Sequence, residues 1–454
     1  MEIMKKVFLV LIFSISLFAC KLDEVNENPN VPTDVSVKLL LPTAQKGLAD
    51  ALGGRFFRYT AIASQQLSGR DNQELLMENY NPDELFIGYP WEDFYTGPMV
   101  NCRIIIDKAE AEGANAYAGI GKILLANSIG IITDAWGDAP FSEAMQGGDN
   151  LYPRYDSQEE IYADIIRLLN EAIEDLDQPS PTVPGSDDLM YGGDLNRWKR
   201  AAHALLARYY IHLTNVRGDA SALALEALND GFSNYNDDLA YRYLGNSADA
   251  NPIYNFFVAT AYAVVDPQYI SVLGVADPRF SHFVDIIPFT GGQSKVGAFQ
   301  GSANSPIKLM SFTEQKFIEA EALLRSNDAS GAEAALKQAV QASLDELESF
   351  LAVEIPDSQE ENLINALSLT GVFEDDLNLI MREKFSALFT QPEVWTDWRR
   401  TGFPVLTPNA NGNSASNPGG QIPRRLIYPQ TERLLNPNFP GVLTMDVKMW
   451  IEGS

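Results

Sequence analysis

Few residues in this chain have the type and spacing that catalysis or metal binding requires. Its three histidines are His203, His212 and His282. The first two are nine residues apart, so on one helix they face opposite sides and cannot share a metal ion. The sequence has no H-E-x-x-H motif, no phosphate-binding glycine loop, no G-x-S-x-G turn and no C-x-x-C pair. We therefore predict no catalytic residues, no metal site and no cofactor apart from a covalent lipid.

Adjacent carboxylates occur in the sequence, but the chain is so rich in acidic residues that their pairing does not indicate a catalytic site. They lie at Asp187-Asp188 and Asp237-Asp238, among 61 acidic residues in the chain. We expect such pairs to lie in solvated loops, and the oxygen-rich run at 230–238 lacks the spacing of a calcium loop. A glycosidase needs two carboxylates that face each other across a cleft, which the sequence does not show. A surface glycan hydrolase stays open as the weaker alternative to a protein without enzymatic activity.

Cys20 lies at the end of a signal-like segment. Lys5 and Lys6 precede an apolar run at residues 7–18, and Ala19-Cys20 follow directly. This is the layout of a secretory signal, and the run is shorter than the roughly 20 residues of a membrane-spanning helix. The end of the segment resembles the lipobox of bacterial lipoproteins, whose cysteine becomes acylated. We expect a signal peptide at 1–19 and an acylated Cys20 with an extended tether at 20–42; an ordinary secretory signal is the alternative.

Composition and charge restrict the partners of the chain. The formal charge is −28, and removal of Glu2, Lys5 and Lys6 with the signal makes it −29. Such a charge repels phosphate backbones, so we exclude nucleic acid as a partner. Beyond the signal we find no uninterrupted apolar stretch of membrane-spanning length, so we expect the chain to contact the membrane through the acyl chains alone. Once Cys20 is acylated, Cys102 has no disulfide partner and is expected to pack as a small apolar side chain.

Helical periodicity dominates the rest of the chain. Apolar residues recur at helical spacing through residues 161–176, after a capping box of Ser157 and Glu160 and before Pro179. Helix–break–helix patterns are predicted near 101–135, 157–230 and 313–349, with alanines at positions where tetratricopeptide-type hairpins cross closely. Long inserts rich in Gly, Pro, Asn and aromatic residues lie at 64–100, 232–310 and 403–440. Loops of this length usually carry function or cover a face.

Five motifs stand out beyond the signal: residues 26–33 (NENPNVPT), 134–144 (DAWGDAPFSEA), 196–203 (NRWKRAAH), 393–404 (EVWTDWRRTGFP) and 423–432 (PRRLIYPQTE). These motifs resemble those of the SusD/RagB family of outer-membrane, nutrient-binding lipoproteins. They follow one another over nearly the whole chain beyond the signal. By chemistry, we interpret the tryptophans and arginines of 393–404, and likewise Trp136, as structural contacts between the helices and the C-terminal loops rather than as ligand contacts.

The resemblance implies a mainly α fold with a role in nutrient uptake. It implies about four tetratricopeptide-like helical hairpins that support a long-loop ligand-binding face, with little β-structure, as one domain at 43–454. Such proteins capture an oligosaccharide or a similar oligomeric nutrient for a SusC-like TonB-dependent transporter in the outer membrane. The acidic residues 21–24 resemble export signals to the cell surface. A protein-interaction scaffold of the outer membrane is the other alternative.

The candidate ligand-binding residues lie mainly in the first insert. Sugars present apolar C–H faces and a rim of hydroxyls, so a binder needs aromatic planes together with Asn, Asp or Arg. These residues are mixed most densely between positions 65 and 95. The candidates are Arg70, Asp71, Asn72, Tyr80, Trp91 and Tyr95, with Phe289 and Phe299 from a loop in the second insert. Trp91 and Tyr95 are four residues apart ahead of an apolar helix, so a buried helical stripe is the favoured interpretation of that pair.

Overall fold

The computed structural model of the chain describes residues 35–286, 294–441 and 444–453, and helices form most of it. The helices are α1 (Val37–Ala51), α2 (Phe57–Ala63), α3 (Asn72–Glu78), α4 (Glu84–Phe94), α5 (Val100–Glu112), α6 (Asn115–Trp136), α7 (Gln158–Asp177), α8 (Leu195–His212), α9 (Ala220–Leu228), α10 (Pro252–Ala259), α11 (Pro267–Leu273), α12 (Phe280–Phe283), α13 (Ala298–Gly301), α14 (Phe312–Arg325), α15 (Ala329–Leu351), α16 (Asp357–Ala366), α17 (Phe373–Ala387), α18 (Glu393–Thr401) and α19 (Gln430–Leu435). The mainly α fold is confirmed.

The strands are short and pair two by two. They are β1 (Leu67–Gly69), β2 (Leu239–Tyr241), β3 (Ala263–Val265), β4 (Val284–Ile286), β5 (Ser294–Val296) and β6 (Ile307–Met310). β1 pairs with β3, β2 with β6 and β4 with β5, all antiparallel. The first pair sets Leu67 opposite Val265 and Gly69 opposite Ala263, and thereby joins the first and second inserts.

The long helices form a continuous stack. α5 packs on α6, α6 on α7, α7 on α8, α8 on α9, α9 on α14, and α14 on α15. Each has an apolar face that it can bury only against its neighbours. In α7 the predicted capping box of Ser157 and Glu160 is present, and Ile161, Ile165 and Leu169 are buried. The stack is the rigid frame on which the inserts lie.

α6 is the innermost helix of the stack. By length and composition it could cross a membrane, with a mean hydropathy of 1.3 over its most apolar window. That window is entirely buried within the protein, which identifies α6 as a core helix. The sequence analysis predicted this helix but did not recognise its membrane-spanning length, because Gly, Asn and Ser interrupt its apolar run. On the neighbouring helix α5, Cys102 is fully buried, and burial raises the pKa of its thiol.

The start of the domain differs from the prediction. Residues 37–42, which we expected in an extended tether, form the first turns of α1. The Ser36 side chain accepts the backbone N–H of Lys38 at 3.3 Å and caps the helix. Burial of Leu40, Leu41 and Leu48 outweighs the hydrogen bond that Pro42 cannot make. The signal peptide, Cys20 and the rest of the tether lie outside the described residues.

Three of the four paired carboxylates are buried, contrary to our expectation, and Asp187 is half-exposed. Asp188, Asp237 and Asp238 are 3%, 7% and 2% exposed. Asp188 accepts hydrogen bonds from Trp198 Nε1 at 2.8 Å and Gln45 Nε2 at 2.7 Å, as well as from backbone N–H groups of its own loop. A buried carboxylate is tolerated only where hydrogen-bond donors surround it. By accepting from donors on both a loop and a helix, such a carboxylate fastens the loop to the helix.

A buried network of charges joins the stack to helices α17 and α18. We call it the ionic seam: Arg208, His212, Glu314, Glu321, Lys384, Glu393, Asp397 and Arg400. Arg208 pairs with Glu314 at 2.6 Å, and His212 Nε2 lies 2.7 Å from Glu393. Burial alone raises the pKa of Glu393, but the charges of His212 and Arg208 outweigh it and hold that pKa well below its usual range. The seam draws on four helices: α8, α14, α17 and α18.

The tryptophans of the resemblance motifs are structural, as predicted. Trp395 donates its indole N–H to the carbonyl of Pro423 at 2.8 Å, and Trp136 donates to that of Ile427 at 2.9 Å. The guanidinium of Arg399 stacks on Trp395, 4.1 Å from the ring centroid. These contacts fix the C-terminal loop against the helices and leave the rings without an exposed face.

Candidate functional site

The three inserts singled out in the sequence meet in one cleft, which we call the polar cleft. Its volume is about 320 Å³, at the lower end of the roughly 300–1,000 Å³ typical of ligand pockets. Its lining residues are Ile62 and Gln65, Glu78 and Tyr80, Asp266, Pro267 and Gln268, and Thr407 and Asn409. Apart from Ile62, at the end of α2, all of them come from the inserts. No other element of the frame contributes to this lining.

Strained backbone positions bring two of these side chains to the cleft. Gln65 follows α2 with φ of 59°, and Tyr80 follows α3 with φ of 50°. Residues other than glycine rarely adopt this left-handed region, and such positions concentrate at functional sites. Gly69 between them is required, because a Cβ there would lie 1.8 Å from the carbonyl oxygen of Glu74. The chain thus turns sharply on both sides of β1.

Hydrogen bonds fasten the first insert to the third. Glu78 accepts the backbone N–H of Gly69 at 2.9 Å and the side-chain N–H of Asn409 at 3.0 Å, using one oxygen for each. Tyr80 Oη accepts the backbone N–H of Asn409 at 3.0 Å. Both oxygens of Glu78 are therefore engaged within the protein, and the wall that they form is rigid.

Asp266, from the second insert, presents a free oxygen. Its Oδ1 caps α11 by accepting the backbone N–H of Gln268 at 2.6 Å. Its Oδ2, like Gln268 Oε1 and Thr407 Oγ1, forms no hydrogen bond with the described part of the chain. Burial, reinforced by the charge of Glu78, raises the pKa of Asp266 to about 7 despite that hydrogen bond and the nearby Arg70. Burial also raises the pKa of Glu78.

Two of the predicted aromatic ligand residues lie in the core. Trp91 is 4% exposed and packs edge-on against Trp136, with 5.3 Å between ring centroids, and against Tyr428 at 6.0 Å. Tyr80 lines the polar cleft but is only 2% exposed. Neither ring has a face on which a sugar could stack, so this part of the prediction is corrected. The alternative interpretation, a buried helical stripe, describes Trp91.

The other predicted aromatic residues are also engaged within the protein or lie outside its described part. Tyr95 is half-buried, stacks obliquely on Trp91 and donates its hydroxyl to the carbonyl of Pro140 at 2.7 Å. Phe299 is 9% exposed and stacks on Phe283 with a centroid separation of 5.4 Å. Phe289 lies outside the described residues. Phe299 is thus a core residue rather than an exposed platform.

The predicted polar residues are exposed beside the polar cleft. Arg70, Asp71 and Asn72 follow β1 and lie at the surface. The backbone N–H of Arg70 donates to the carbonyl of Tyr262 at 2.7 Å, which places a half-buried ring next to this loop. Asp71 caps α3. These three residues do not belong to the lining of the cleft, and their contact with a ligand stays a prediction.

The sequence analysis missed the residues that form the lining. Gln65, Glu78, Asp266 and Asn409 carry no motif, and the search favoured aromatic rings over isolated polar residues. One signal was available: Asp266-Pro267 is the capping pair of a short helix, within an insert already identified as functional. The convergence of three inserts, however, depends on contacts between residues more than 300 positions apart.

Other cavities in the described residues fit a ligand less well. Two small ones beside Lys308, of about 30 and 40 Å³, are sized for water molecules. A surface cleft of about 230 Å³ lies between Tyr428, Phe439 and Arg433, and one of about 420 Å³ lies beside Arg103 and Asp149. Neither combines residues of all three inserts. No cluster of three or more potential metal ligands occurs in the described part of the chain.

The comparisons with known proteins give one consistent result. Residues 29–429 match the SusD-like family, which is described as "Starch-binding associating with outer membrane". No protein of curated function shows significant sequence similarity to the chain. A SusD/RagB family protein from Bacteroides thetaiotaomicron is 25% identical, with a TM-score of 0.74 over 93% of this chain and 100% of the other.

Two further solved structures share the fold. A Bacteroidetes SusD-like protein is 19% identical, with a TM-score of 0.81 over 92% of this chain and 100% of the other. A chitin-binding SusD homologue from Flavobacterium johnsoniae is 21% identical, with a TM-score of 0.74 over 92% of this chain and 96% of the other. The resemblance seen in the sequence motifs is thereby confirmed.

Proposed function

The chain belongs to the SusD-like family, and from this premise we propose that it is a lipid-anchored cell-surface protein that binds an oligosaccharide and passes it to a SusC-like TonB-dependent transporter. The polar cleft is the observation that carries the proposal. Three long inserts converge there and leave three polar groups without a partner among the described residues. Such groups, held in place on a rigid frame, match the hydroxyl-rich surface of a glycan.

We propose binding without hydrolysis. One observation favours the alternative, because Glu78 and Asp266 both line the cleft and both have raised pKa values. A glycosidase, however, needs one carboxyl free to donate a proton and a second free to attack or to activate water. Both oxygens of Glu78 already accept hydrogen bonds, and Asp266 has only Oδ2 free. The pair is arranged to hold a ligand rather than to cleave it.

The membrane anchor is the second part of the proposal. Acylation of Cys20 and the tether after it would hold the domain at the outer membrane, above the transporter. Mass spectrometry of the first mature peptide should show a diacylglyceryl-modified, N-acylated Cys20, and Cys20→Ser should release the protein from the membrane. Affinity purification from detergent-solubilised outer membranes should recover a TonB-dependent barrel. A partner recovered without any glycan affinity would favour the scaffold alternative.

Binding itself is tested with a glycan panel and calorimetry. The panel contains maltohexaose, cellohexaose and chitohexaose, together with acidic and amine-bearing oligosaccharides and peptides of similar length. Two changes, Gln268→Ala and Thr407→Val, remove polar groups from the cleft. At about 0.5–1.5 kcal/mol for each lost hydrogen bond, we expect the double variant to bind about tenfold or more weakly.

Matched controls separate the outcomes. Gln359→Ala removes an exposed amide from α16, away from the cleft, and should leave the affinity unchanged. Affinity retained by the double variant would place the ligand elsewhere on the protein. Absence of binding to every glycan would contradict the proposed function. Release of reducing ends from a bound oligosaccharide would show that the protein is a hydrolase.

A further inference from the structure

We infer that the polar cleft accepts neutral or amine-bearing glycans and rejects glycans that carry carboxylate or sulfate groups. The inference concerns the same site as the proposed function and rests on it. Its two supports are independent of each other: the hydrogen-bonding direction of the free groups in the cleft, and the sign of the charges that line it.

The free polar groups of the cleft mostly accept hydrogen bonds. Of the three groups without a partner in the described residues, Asp266 Oδ2 and Gln268 Oε1 are acceptor oxygens, and the hydroxyl of Thr407 can also donate. Each side-chain amide of the lining directs at least one N–H at an acceptor of the protein: Asn409 at Glu78, Gln65 at the carbonyl of Thr407 and Gln268 at that of Val405. A ligand that supplies donors therefore satisfies the two free acceptor oxygens. Sugar hydroxyls, acetamido N–H groups and ammonium groups donate, whereas carboxylate and sulfate oxygens only accept.

The charges that line the cleft have one sign. Glu78 and Asp266 are the ionisable carboxyl groups of the lining, Tyr80 is a neutral phenol, and no lysine, arginine or histidine belongs to the lining. Arg70 is the nearby cation. It is exposed on the loop after β1 and forms no ion pair with the described residues, although it acts to lower the pKa of both carboxyls. It can neutralise at most one of the two charges, so the cleft stays negative where a ligand enters.

The net charge of the rest of the chain adds to the negative potential at the cleft. The formal charge of −28 puts a repulsive field around any anionic glycan as it approaches. At close range, a ligand carboxylate about 5 Å from Asp266 weakens binding by about tenfold or more, since the interaction of two like charges at that distance is a multiple of the thermal energy at effective dielectric constants below that of water. Since the pKa of Asp266 is raised to about 7, its carboxyl is mostly ionised at pH 8, and we expect the exclusion of anions to be stronger there than at neutral pH.

The test compares one backbone in three charge states at pH 8. The probes are the tightest-binding neutral oligosaccharide of the panel, the same compound with its primary hydroxyls oxidised to carboxylates, and the chitosan hexamer. We expect the oxidised compound to bind at least about tenfold more weakly than its parent, and the chitosan hexamer to bind more tightly than any anionic member of the panel. Tighter binding of an anionic oligosaccharide than of every neutral or amine-bearing one would overturn the inference while preserving the proposed function.

Asp266→Asn identifies the source of the effect. Asparagine retains the oxygen that caps α11, so the fold is expected to persist. The affinity ratio between parent and oxidised compound should narrow severalfold in this variant. Glu354→Gln removes one exposed charge from the loop after α15, and should leave the ratio unchanged. An unchanged ratio in Asp266→Asn, or equal narrowing in both variants, would refute a role for the cleft. If no glycan binds, the proposed function fails as well.

Discussion

Replacement of Glu321 by glutamine should destabilise the frame by about 3–5 kcal/mol, because it removes the central anion of the ionic seam. The Glu321 side chain on α14 is fully buried. It accepts hydrogen bonds from both terminal nitrogens of Arg400 on α18, the Nη2 contact being 2.7 Å, and from Arg325 Nε at 2.7 Å. The change leaves the guanidinium of Arg400 buried with Asp397 as its remaining anionic partner. Removal of one partner from a buried ion pair typically lowers the free energy of unfolding by about 3–5 kcal/mol.

The lowered pKa of Glu321 leads to a similar value for its contribution to the free energy of folding. Burial alone raises that pKa, but the charges of Arg400 and Arg325 outweigh it and lower the pKa from 4.5 to about 2. Each pKa unit corresponds to about 1.4 kcal/mol, so ionised Glu321 contributes roughly 3 kcal/mol to folding. Because the folded pKa lies below the unfolded one, this contribution is present above pH 4.5 and is lost as the pH falls towards 2.

Urea denaturation of the wild type and of Glu321→Gln, followed by tryptophan fluorescence at pH 7 and again at pH 3, measures both effects. The difference in unfolding free energy should be large at pH 7 and smaller at pH 3. The matched control is Glu333→Gln on α15, which removes a half-exposed i,i+4 pair with Lys337 but keeps an oxygen for the backbone N–H of Leu369, and should cost less than about 1 kcal/mol. Equal and small losses in both variants, or a difference that does not depend on pH, would refute the reasoning.

Three further outcomes are expected. Trp91→Ala should cost about 3–5 kcal/mol, since it empties a site between Trp136 and Tyr428, and thermal melting should show this against Tyr152→Ala, a change at an exposed ring. The folded-state pKa of Asp266 is raised to about 7 and lies above the unfolded-state pKa. The contribution of Asp266 to folding stability therefore falls as the pH rises from about 4 to 7. The melting temperature of Asp266→Asn, measured relative to that of the wild type, should accordingly be higher at pH 8 than at pH 5. Cys102 is fully buried and should react with Ellman's reagent only after unfolding. If Cys102 reacted in the folded protein as fast as an exposed thiol does, its buried position would be contradicted.

The helical frame could be predicted from the sequence because its signals are local. In α7 a capping box, a four-residue apolar rhythm and a proline after the helix all agree, and the helix begins and ends where they indicate. α1 shows the limit of such signals. Pro42 and the asparagine- and proline-rich run at 26–32 favoured an extended tether, but burial of Leu40, Leu41 and Leu48 against the stack decided the outcome for residues 37–42.

The polar cleft could be predicted only in part. Insert length and composition identified the three segments that form it, since long loops on a compact frame usually carry function. Individual side chains could not be assigned, because exposure depends on distant contacts. Tyr80 illustrates the point: its neighbours in the sequence are polar and exposed, yet its ring is covered by the backbone around Asn409 and Gly412, more than 300 residues away.

The residues that stabilise the frame and the residues that line the polar cleft lie in different segments of the chain. A family resemblance therefore predicts the fold of this protein better than its ligand. Of the described motifs that carry the resemblance, those at 134–144 and 393–404 supply Trp136, Trp395 and three residues of the ionic seam, and that at 423–432 supplies the carbonyls that accept from the two indoles. None of the residues that line the polar cleft lies within a resemblance motif. A seam of paired buried charges tolerates little change, since each partner left alone is costly. The cleft walls are instead held by backbone turns and by a few hydrogen bonds among uncharged groups and Glu78, so their side chains can change without loss of the frame. Ligand chemistry must therefore be inferred from the cleft itself: its acceptor oxygens and its two carboxyl groups.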